Sequence, residues 1–436
     1  MPPLPHRESD PANDAALIRP LVRSLLLQGS ADSESGSWLR LNETLVRDAL
    51  DHSGSDRAPA TLAANSFLQW LAPKIIHDSQ LDFLKPLATI NPLPLRQARP
   101  LYEAMKIAAE ISRTDPGSLV EGANNRLQLL PLERRVALGV TKRHETEMPL
   151  LLFAVRTEMV DHLLNSPPPD IEMRVVGQAT ALQLAAVHPP TIPADEHRPG
   201  RSVAHQAGRA GTLGAYVCWN DGATRRAVQG FLGASHVLAL AGRANADDFI
   251  HSPGVPDADN NMKWRYGRLV NARILVHAED VTAPDAYVND CDIAVAKLDK
   301  RCFPRNQVPE AGPGGTLVVV KQALSGDELR NFSGDAFIVG RTTAHAIGRF
   351  LGSHIKEFAV EMSDHREYLF GNVAAIESVD PSVPFSRGGD SGALVYGFRD
   401  ETCVALGFVI GAGGGYTYIS PATRCLATMG VELLGD

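Results

Sequence analysis

The hydrophobic positions of the chain begin with a helical period. From about Ala15 to Arg113, apolar residues recur three and four positions apart, as in ALIRPLVRSLLL and ARPLYEAMKIAAEIS, with polar or proline-containing breaks between them. This is the spacing of amphipathic helices. The pattern predicts an all-α domain of about four or five helices, which we place at residues 1–122. The apolar stripes around Leu25 and Trp70 are typical of such a domain's own core, and the alternative is a face that binds a partner.

The period changes between about Leu127 and Leu184. RRVALGVTK and PLLLFAVRT have the composition of strands, VRTEMVDHLL that of a helix, and IEMRVVGQA follows the proline triplet Pro167 to Pro169 as a third strand. These elements predict a small α/β subdomain over residues 123–186. The proline-rich stretch from Val187 to Gly200 is then expected to be a stiff linker.

Beyond Gly200 the chain consists of short β-like runs separated by glycine, such as GTLGAYVCW, DIAVAKL, GTLVVVKQ and CVALGFVIGA. Many short strands over more than 200 residues predict paired β-barrels or a sandwich. The sequence therefore indicates a multidomain protein with an all-β domain at residues 200–436.

Charge disfavours two classes of partner. The 436 residues carry 42 Lys and Arg against 50 Asp and Glu, a net charge of −8, whereas nucleic acid and anionic membranes attract clustered positive charge. The N-terminus lacks the basic-then-apolar order of a secretory signal, and no apolar run reaches the roughly 18 residues of a membrane span. We therefore expect a cytoplasmic protein that binds neither nucleic acid nor membrane.

Metal and nucleotide chemistry find no support in the motifs. The five cysteines form no C-x-x-C pair, and their odd number argues against a disulfide framework as well as a zinc site. The glycine-rich run from Gly411 to Gly415 is followed by neither a clear helix nor a ribose-binding acid, so it is not a dinucleotide fingerprint. We expect no metal and no cofactor.

One constellation does carry chemistry. A serine becomes a nucleophile when a base takes its proton, a carboxylate orients the base, and backbone amides stabilise the oxyanion. SRGGDSGALV surrounds Ser391 with glycines that permit a tight turn, and FLGASHVLAL places His236 at the end of an apolar run. DCDIAVAKL places Asp292 just before a strand, with Asp290 as a competitor. His205 and His345 compete with His236 but lack the apolar run that follows it.

These three motifs, in the order His, Asp, Ser, resemble those of the trypsin/chymotrypsin superfamily over roughly Arg201 to Glu432. The resemblance is strongest to the branch typified by the plant NARROW LEAF 1 protein and its bacterial relatives. It rests on GRSVAHQAGRAGTLGAYV before the His motif, GRTTAHAIGRF between Asp and Ser, and YISPATRCLATMGVEL at the end. It implies a C-terminal chymotrypsin-like double β-barrel.

The resemblance also implies roles for residues. His236 would be the general base, Asp292 its orienting carboxylate, and Ser391 the nucleophile, with the amides of Gly389 and Ser391 as the oxyanion hole. Ala393 replaces the second glycine of the usual G-D-S-G-G. Phe385, six residues before Ser391, would lie at the base of the pocket for the side chain preceding the scissile bond. The opposite wall would come from Ile410, Gly411 and Ala412, giving a shallow apolar pocket.

The sequence thus predicts a serine endopeptidase that acts on a protein or peptide without a cofactor. We expect the N-terminal helical domain to regulate the peptidase or to bind a protein partner. Two alternatives remain open. The fold could serve as a binding or scaffold module with an idle triad, or proteolysis could be limited to self-processing in the linker from Val187 to Gly200.

Overall fold

The computed structural model describes residues 136–435 except 144–145, 155–157, 182–191, 193–195, 221–226, 255–256, 258–264, 279–288, 300–301, 311–314, 356–357 and 381, together with Ala104 and Ile107. Apart from Ala104 and Ile107, which are helical and buried, the helical domain predicted for residues 1–122 lies outside the described residues. So does most of the predicted linker.

Contacts divide the chain into two compact units, the first formed by Met1–Gly139 and Glu147–Arg174 and the second by Val140–Thr146 and Val175–Asp436. The elements between residues 136 and 175 are β1 (Val136–Arg143), β2 (Thr146–Phe153), the helix α1 (Glu158–Asn165) and β3 (Glu172–Val175). In the sheet, β2 lies between β1 and β3. This is the strand, strand, helix, strand order that the sequence pattern indicates, with the proline triplet between α1 and β3.

The second unit is rich in β-strands. Its first half contains β4 (Ala179–Thr180), β5 (Ser202–His205), β6 (Gly211–Thr212), β7 (Ala215–Asn220), β8 (Ala227–Gly233), α2 (Ser235–Leu238), a 3₁₀ turn (Leu240–Gly242), β9 (Phe249–His251), β10 (Arg265–Ala272) and β11 (Ala294–Leu298). Its second half contains β12 (Gln307–Pro309), β13 (Leu317–Val319), β14 (Gln322–Ala323), α3 (Gly326–Arg330), β15 (Asp335–Gly340), β16 (Ala344–Ile355), β17 (Phe358–Glu361), β18 (Glu367–Phe370), β19 (Val373–Ser378), β20 (Leu394–Arg399), β21 (Thr402–Gly413), β22 (Tyr416–Pro421), α4 (Ala422–Met429) and β23 (Glu432–Leu433).

Strands β5 to β11 and the C-terminal strand β23 form an eight-stranded sheet in the order β23-β7-β8-β11-β10-β9-β5-β6. Every pairing in it is antiparallel. Its inward face carries a buried cluster that includes Leu213, Tyr216, Phe231, Ile250 and Leu269. Burial of one set of side chains in this cluster specifies the register of the strands.

The second half closes on itself. The pairings run β15-β16-β19-β22-β21-β20 and return from β20 to β15, so six antiparallel strands form a complete ring. A second buried cluster, which includes Ile338, Phe350 and Leu406, fills the ring. A third cluster lies between the two sheets and contains Val217 and Leu232 as well as residues of β20. The C-terminal region is thus a mostly-β barrel fold consistent with a chymotrypsin-like architecture.

The short helix α3 begins with a capping box. Ser325 Oγ accepts a hydrogen bond from the Glu328 amide at 3.2 Å, and Glu328 Oε2 accepts one from the Ser325 amide at 2.8 Å. Glu328 Oε1 also accepts a hydrogen bond from Arg399 at 2.5 Å. The Ser325 amide, more than the guanidinium, lowers the pKa of Glu328 to about 2.

In the part of the chain that the structure describes, no helix is long and apolar enough to span a bilayer. Among the same residues, no three His, Cys, Asp or Glu side chains group together as metal ligands would. The five cysteine thiols are free, with Cys291, Cys403 and Cys425 buried and Cys218 and Cys302 partly buried.

Candidate active site

The register of two paired strands brings His236 and Asp292 together. Gly233, the last residue of β8, pairs with Ala294, the first residue of β11. Because the strands are antiparallel, the chain that leaves β8 and the chain that enters β11 meet at one end of the sheet. His236 lies three residues after Gly233, and Asp292 lies two residues before Ala294. Both side chains therefore face the same small volume.

The Asp292 carboxylate holds the histidine through both of its oxygens. Oδ2 is bonded to His236 Nδ1, and Oδ1 accepts a hydrogen bond from the His236 amide at 3.1 Å. Asp292 is fully buried, and its own amide donates to Ser420 Oγ of β22 at 3.1 Å. On the other side, Ser235 Oγ donates to the Arg273 carbonyl at 2.6 Å and fixes the first turn of α2. The imidazole is thus held in one orientation.

This arrangement defines the role of each ring nitrogen of His236. A carboxylate can only accept a hydrogen bond, so Nδ1 carries the proton in the neutral ring and Nε2 presents a lone pair. Among the described residues, Nε2 is buried and has no hydrogen-bond partner. A buried, unpaired nitrogen of this kind is available to accept a proton.

The segment that carries Ser391 is a tight turn that requires glycine. Gly389 has φ of +97° and Gly392 has φ of +85°, values that favour glycine strongly. The Ala393 amide donates to the Asp390 carbonyl at 2.8 Å, and the Gly392 amide donates to the Val409 carbonyl of β21 at 2.8 Å. The turn is therefore held in place on both sides of the serine.

Two amides in this turn remain available. In the part of the chain that is described, neither the Gly389 amide nor the Ser391 amide donates a hydrogen bond, whereas the Asp390 amide between them donates to Arg387 at 3.0 Å. Two available N–H groups beside a serine hydroxyl are the elements from which an oxyanion hole can be built. Gly389 and Ser391, whose amides the sequence predicts as oxyanion-hole donors, therefore have available N–H groups, whereas Asp390 between them does not.

Strand β6 joins the serine turn to the sheet that carries the histidine. The Thr212 amide donates to the Ser391 carbonyl at 2.9 Å, and Thr212 Oγ1 donates to the Gly389 carbonyl at 2.9 Å. The turn also passes very close to the start of α2, since a Cβ at Gly392 would lie 2.6 Å from the Ala234 amide nitrogen. Ser391 Oγ and His236 Nε2 form no hydrogen bond with each other in the described residues. In unliganded hydrolases this contact is often long and shortens with substrate.

Comparison with solved structures gives serine and viral proteases. Thermobifida fusca Protease A is 14% identical, covers 55% of this chain and all of its own, and has a TM-score of 0.35. A glutamic acid-specific serine protease is 17% identical over 54% of this chain, with a TM-score of 0.36. The NS6 protease from murine norovirus 1 is 11% identical over 51% of this chain, with a TM-score of 0.24.

No protein-family model matches the chain, and no curated protein matches it by sequence.

The structure also assigns a role to Asp390, which the sequence leaves without one. Its fully buried carboxylate accepts hydrogen bonds from the amides of Arg387 and Thr342, both at 2.8 Å, from the Thr343 amide at 3.1 Å, and from the Thr343 hydroxyl. Burial raises the pKa of Asp390, and these four donors oppose that shift. The carboxylate ties the serine turn to the end of β15.

A buried ion pair lies next to the same turn. Arg341 and Asp257, both nearly inaccessible, are joined by two guanidinium–carboxylate hydrogen bonds. The Arg341 amide donates to Thr212 Oγ1 at 3.0 Å, and a Cβ at Gly389 would lie 2.3 Å from Arg341 Nη1. The two partners are 84 residues apart in the chain, and no sequence pattern predicts their contact.

The competing acid and bases lie elsewhere. Asp290 is bound to Arg273 at 3.3 Å and Arg424 at 3.1 Å near the surface. His205 uses both ring nitrogens, since Nε2 lies 3.1 Å from Asp248 Oδ2 and Nδ1 accepts from the Ala207 amide at 3.1 Å. Among the three histidines, His236 alone contacts Asp292 in the described part of the chain.

His345 lies on β16 of the second barrel, where burial lowers its pKa. Its ring contacts Phe337, with ring centroids 6.0 Å apart.

Phe385, which the resemblance places at the base of the substrate pocket, is 1% exposed and packs into the cluster that fills the second barrel. The aromatic ring turns inward because that placement removes its apolar surface from water. The wall residues Ile410, Gly411 and Ala412 lie on β21, and their outer edge is occupied by β4.

Proposed function

We propose that this chain is a serine endopeptidase of the trypsin/chymotrypsin type, with His236, Asp292 and Ser391 as its triad. The observation that carries the proposal is the state of His236: its Nδ1 is bonded to a fully buried carboxylate while its Nε2 is buried without a partner in the described residues. His205 uses both ring nitrogens, and His345, whose Nε2 is also buried without a partner, forms no hydrogen bond to a carboxylate in the described part of the chain. The NARROW LEAF 1-like branch remains part of the proposal on its sequence motifs.

In the proposed reaction, Ser391 Oγ attacks a peptide carbonyl carbon while His236 Nε2 takes the hydroxyl proton. The carbonyl oxygen becomes an oxyanion that the amides of Gly389 and Ser391 stabilise. The C–N bond then breaks, and His236 returns the proton to the leaving amine, which leaves an acyl ester on Ser391. Water, deprotonated by His236, hydrolyses the ester and restores the enzyme. Asp292 stays ionised and stabilises the imidazolium.

A fluorophosphonate tests the proposal because it reacts with an activated serine and needs no peptide contacts. The purified chain should be labelled at Ser391 and should hydrolyse a small activated ester. Ser391→Ala should abolish labelling and lower kcat by about six orders of magnitude, since the nucleophile is removed. Ser382→Ala is the matched control, because Ser382 lies in the same loop with an exposed hydroxyl bonded to Asp380. Equal labelling of the Ser391→Ala variant, or no labelling of the parent chain, would contradict the proposal.

A further inference from the structure

Strand β21 leaves one edge uncovered by β20 as it passes the serine turn. Its pairing with β20 ends at Phe408, which is opposite Leu394. The next residue, Val409, exchanges hydrogen bonds with the turn itself: its amide donates to the Ala393 carbonyl at 3.0 Å, and its carbonyl accepts from the Gly392 amide at 2.8 Å. Ile410 to Gly413 therefore extend beyond Ser391 with β22 on one edge and an opposite edge that β20 does not reach.

The chain itself fills that edge. Thr180 of β4 pairs antiparallel with Ala412, on the side of β21 away from β22. Thr180 Oγ1 lies 3.5 Å from the Ala412 carbonyl oxygen. On its far side β4 pairs with β17, and the Ala181 amide donates to the Glu361 carbonyl at 2.8 Å. Strand β4, at the end of the segment Val176–Ala181, thus lies between β21 and β17.

The glycine-rich end of β21 fits this segment at backbone distance. A Cβ at Gly411 would lie 2.7 Å from the Thr180 carbonyl oxygen, and one at Gly413 would lie 2.2 Å from that of Gln178. A Cβ at Gly414 would lie 2.0 Å from the Val176 carbonyl oxygen. Real Cβ atoms do not approach oxygens this closely, so glycine is required where two backbones run side by side. The run from Gly411 to Gly415, which is no nucleotide motif, thereby acquires a structural reason.

We propose that Val176–Ala181 occupies the edge of β21 at which a substrate polypeptide would pair, so that the chain is self-inhibited toward extended substrates. The inference rests on the proposed peptidase function. Extended peptides bind proteins by adding a strand to an open sheet edge. The edge of Ile410–Gly413 begins next to the serine turn. Strand β4 runs antiparallel to β21 along this edge, which is an orientation that an added peptide strand can adopt. Ser391 and His236 are each 5% exposed, in keeping with a covered site.

The test compares substrates that need this edge with probes that do not. In Thr180→Asp a carboxylate faces the Ala412 carbonyl and repels it, whereas Thr180→Ser retains the hydroxyl and is the matched control. Thr180→Pro is a second variant, since the Ala181 amide points to β17 and the preceding amide therefore points to β21. Each is assayed with a fluorophosphonate, a single-residue activated ester and a four-residue peptide substrate.

Binding of a labelled six-residue peptide to the Ser391→Ala form, with and without Thr180→Asp, gives a readout that is independent of catalysis.

In the parent chain and in Thr180→Ser, extending the substrate from one residue to four should leave kcat/KM unchanged. Thr180→Asp and Thr180→Pro should raise kcat/KM for the four-residue substrate by about tenfold or more and tighten peptide binding equally, because apparent affinity follows the fraction of molecules with an open edge. Ester hydrolysis and labelling should stay the same.

Unchanged peptide cleavage and binding in both variants, with normal labelling, would overturn the inference and leave the proposed function intact. Absence of labelling and ester hydrolysis in every form would overturn both.

Discussion

Replacing Asp292 by Asn tests the orientation of the base with almost no change in shape. The Asn carbonyl oxygen can still accept the hydrogen bond that the His236 amide now gives to Oδ1 at 3.1 Å. The other position, which now accepts from His236 Nδ1, becomes an NH₂ donor. To pair with it, Nδ1 must offer its lone pair, so the ring proton moves to Nε2. A protonated Nε2 cannot accept the proton of Ser391.

The expected loss follows from this tautomer change. A misplaced ring proton in a Ser-His-Asp triad lowers kcat by about 10⁴-fold, and at about 1.36 kcal/mol for each factor of ten this equals about 5.4 kcal/mol of transition-state stabilisation. Stability should change much less. One hydrogen bond is altered among those that Asp292 makes, and a single hydrogen bond contributes about 1 kcal/mol.

Ester hydrolysis under saturating substrate measures kcat, and urea denaturation measures stability. Asp290→Asn is the control. Asp290 lies two residues before Asp292, and the substitution removes the same charge, which at this position forms surface ion pairs with Arg273 and Arg424. Such exposed pairs contribute about 0–1 kcal/mol to the free energy of unfolding, so losing them should leave the fold intact. We therefore expect kcat to be unchanged. The reasoning is refuted if Asp292→Asn retains kcat within tenfold of the parent chain, or if Asp290→Asn loses as much.

Three further outcomes are expected. Gly389→Ala should lower kcat about 10²- to 10³-fold in the ester assay, because a Cβ there would clash with Arg341 Nη1 and shift an oxyanion donor; full activity would contradict this. Arg341→Met should lower the free energy of unfolding in urea by about 3–5 kcal/mol, because Asp257 keeps its buried charge without the guanidinium, and a neutral effect would contradict it. Glu328 has a folded pKa of about 2 against an ordinary 4.5, so its contribution to stability is present above pH 4.5 and is lost as pH falls toward 2. Glu328→Gln should flatten urea-measured stability across that window, and an unchanged slope would argue against it.

The contact between His236 and Asp292 can be predicted from the sequence because both residues lie at strand ends. An apolar run ending just before His236 and a strand starting just after Asp292 are local signals, and antiparallel pairing places the two ends together. The turn at Ser391 is readable for a similar reason, since Gly389 and Gly392 have backbone angles that glycine favours. Both inferences depend on neighbouring residues in the chain.

What the sequence does not predict depends on distant residues or on side-chain direction. The sequence does not indicate the direction of the Phe385 ring, which packs into the apolar cluster of the second barrel. The pair of Arg341 and Asp257 joins two segments with no shared pattern. Strand β4 has two residues, which is too short for any hydrophobic period to indicate.

The division of the site between two sheets makes activity depend on how they dock. His236 and Asp292 lie at strand ends of the first sheet, while Ser391 precedes a strand of the closed barrel. Near the site, Thr212 links the halves through both its amide and its hydroxyl, and Ser420 links them through one hydrogen bond. The cluster between the sheets, which includes Leu232 and residues of β20, provides the apolar contact. A substitution in that cluster can separate base from nucleophile while each sheet stays folded. In the proposed peptidase, loss of hydrolysis is therefore expected to precede loss of circular dichroism during denaturation, and the apolar residues of this interface serve the proposed catalysis as well as stability.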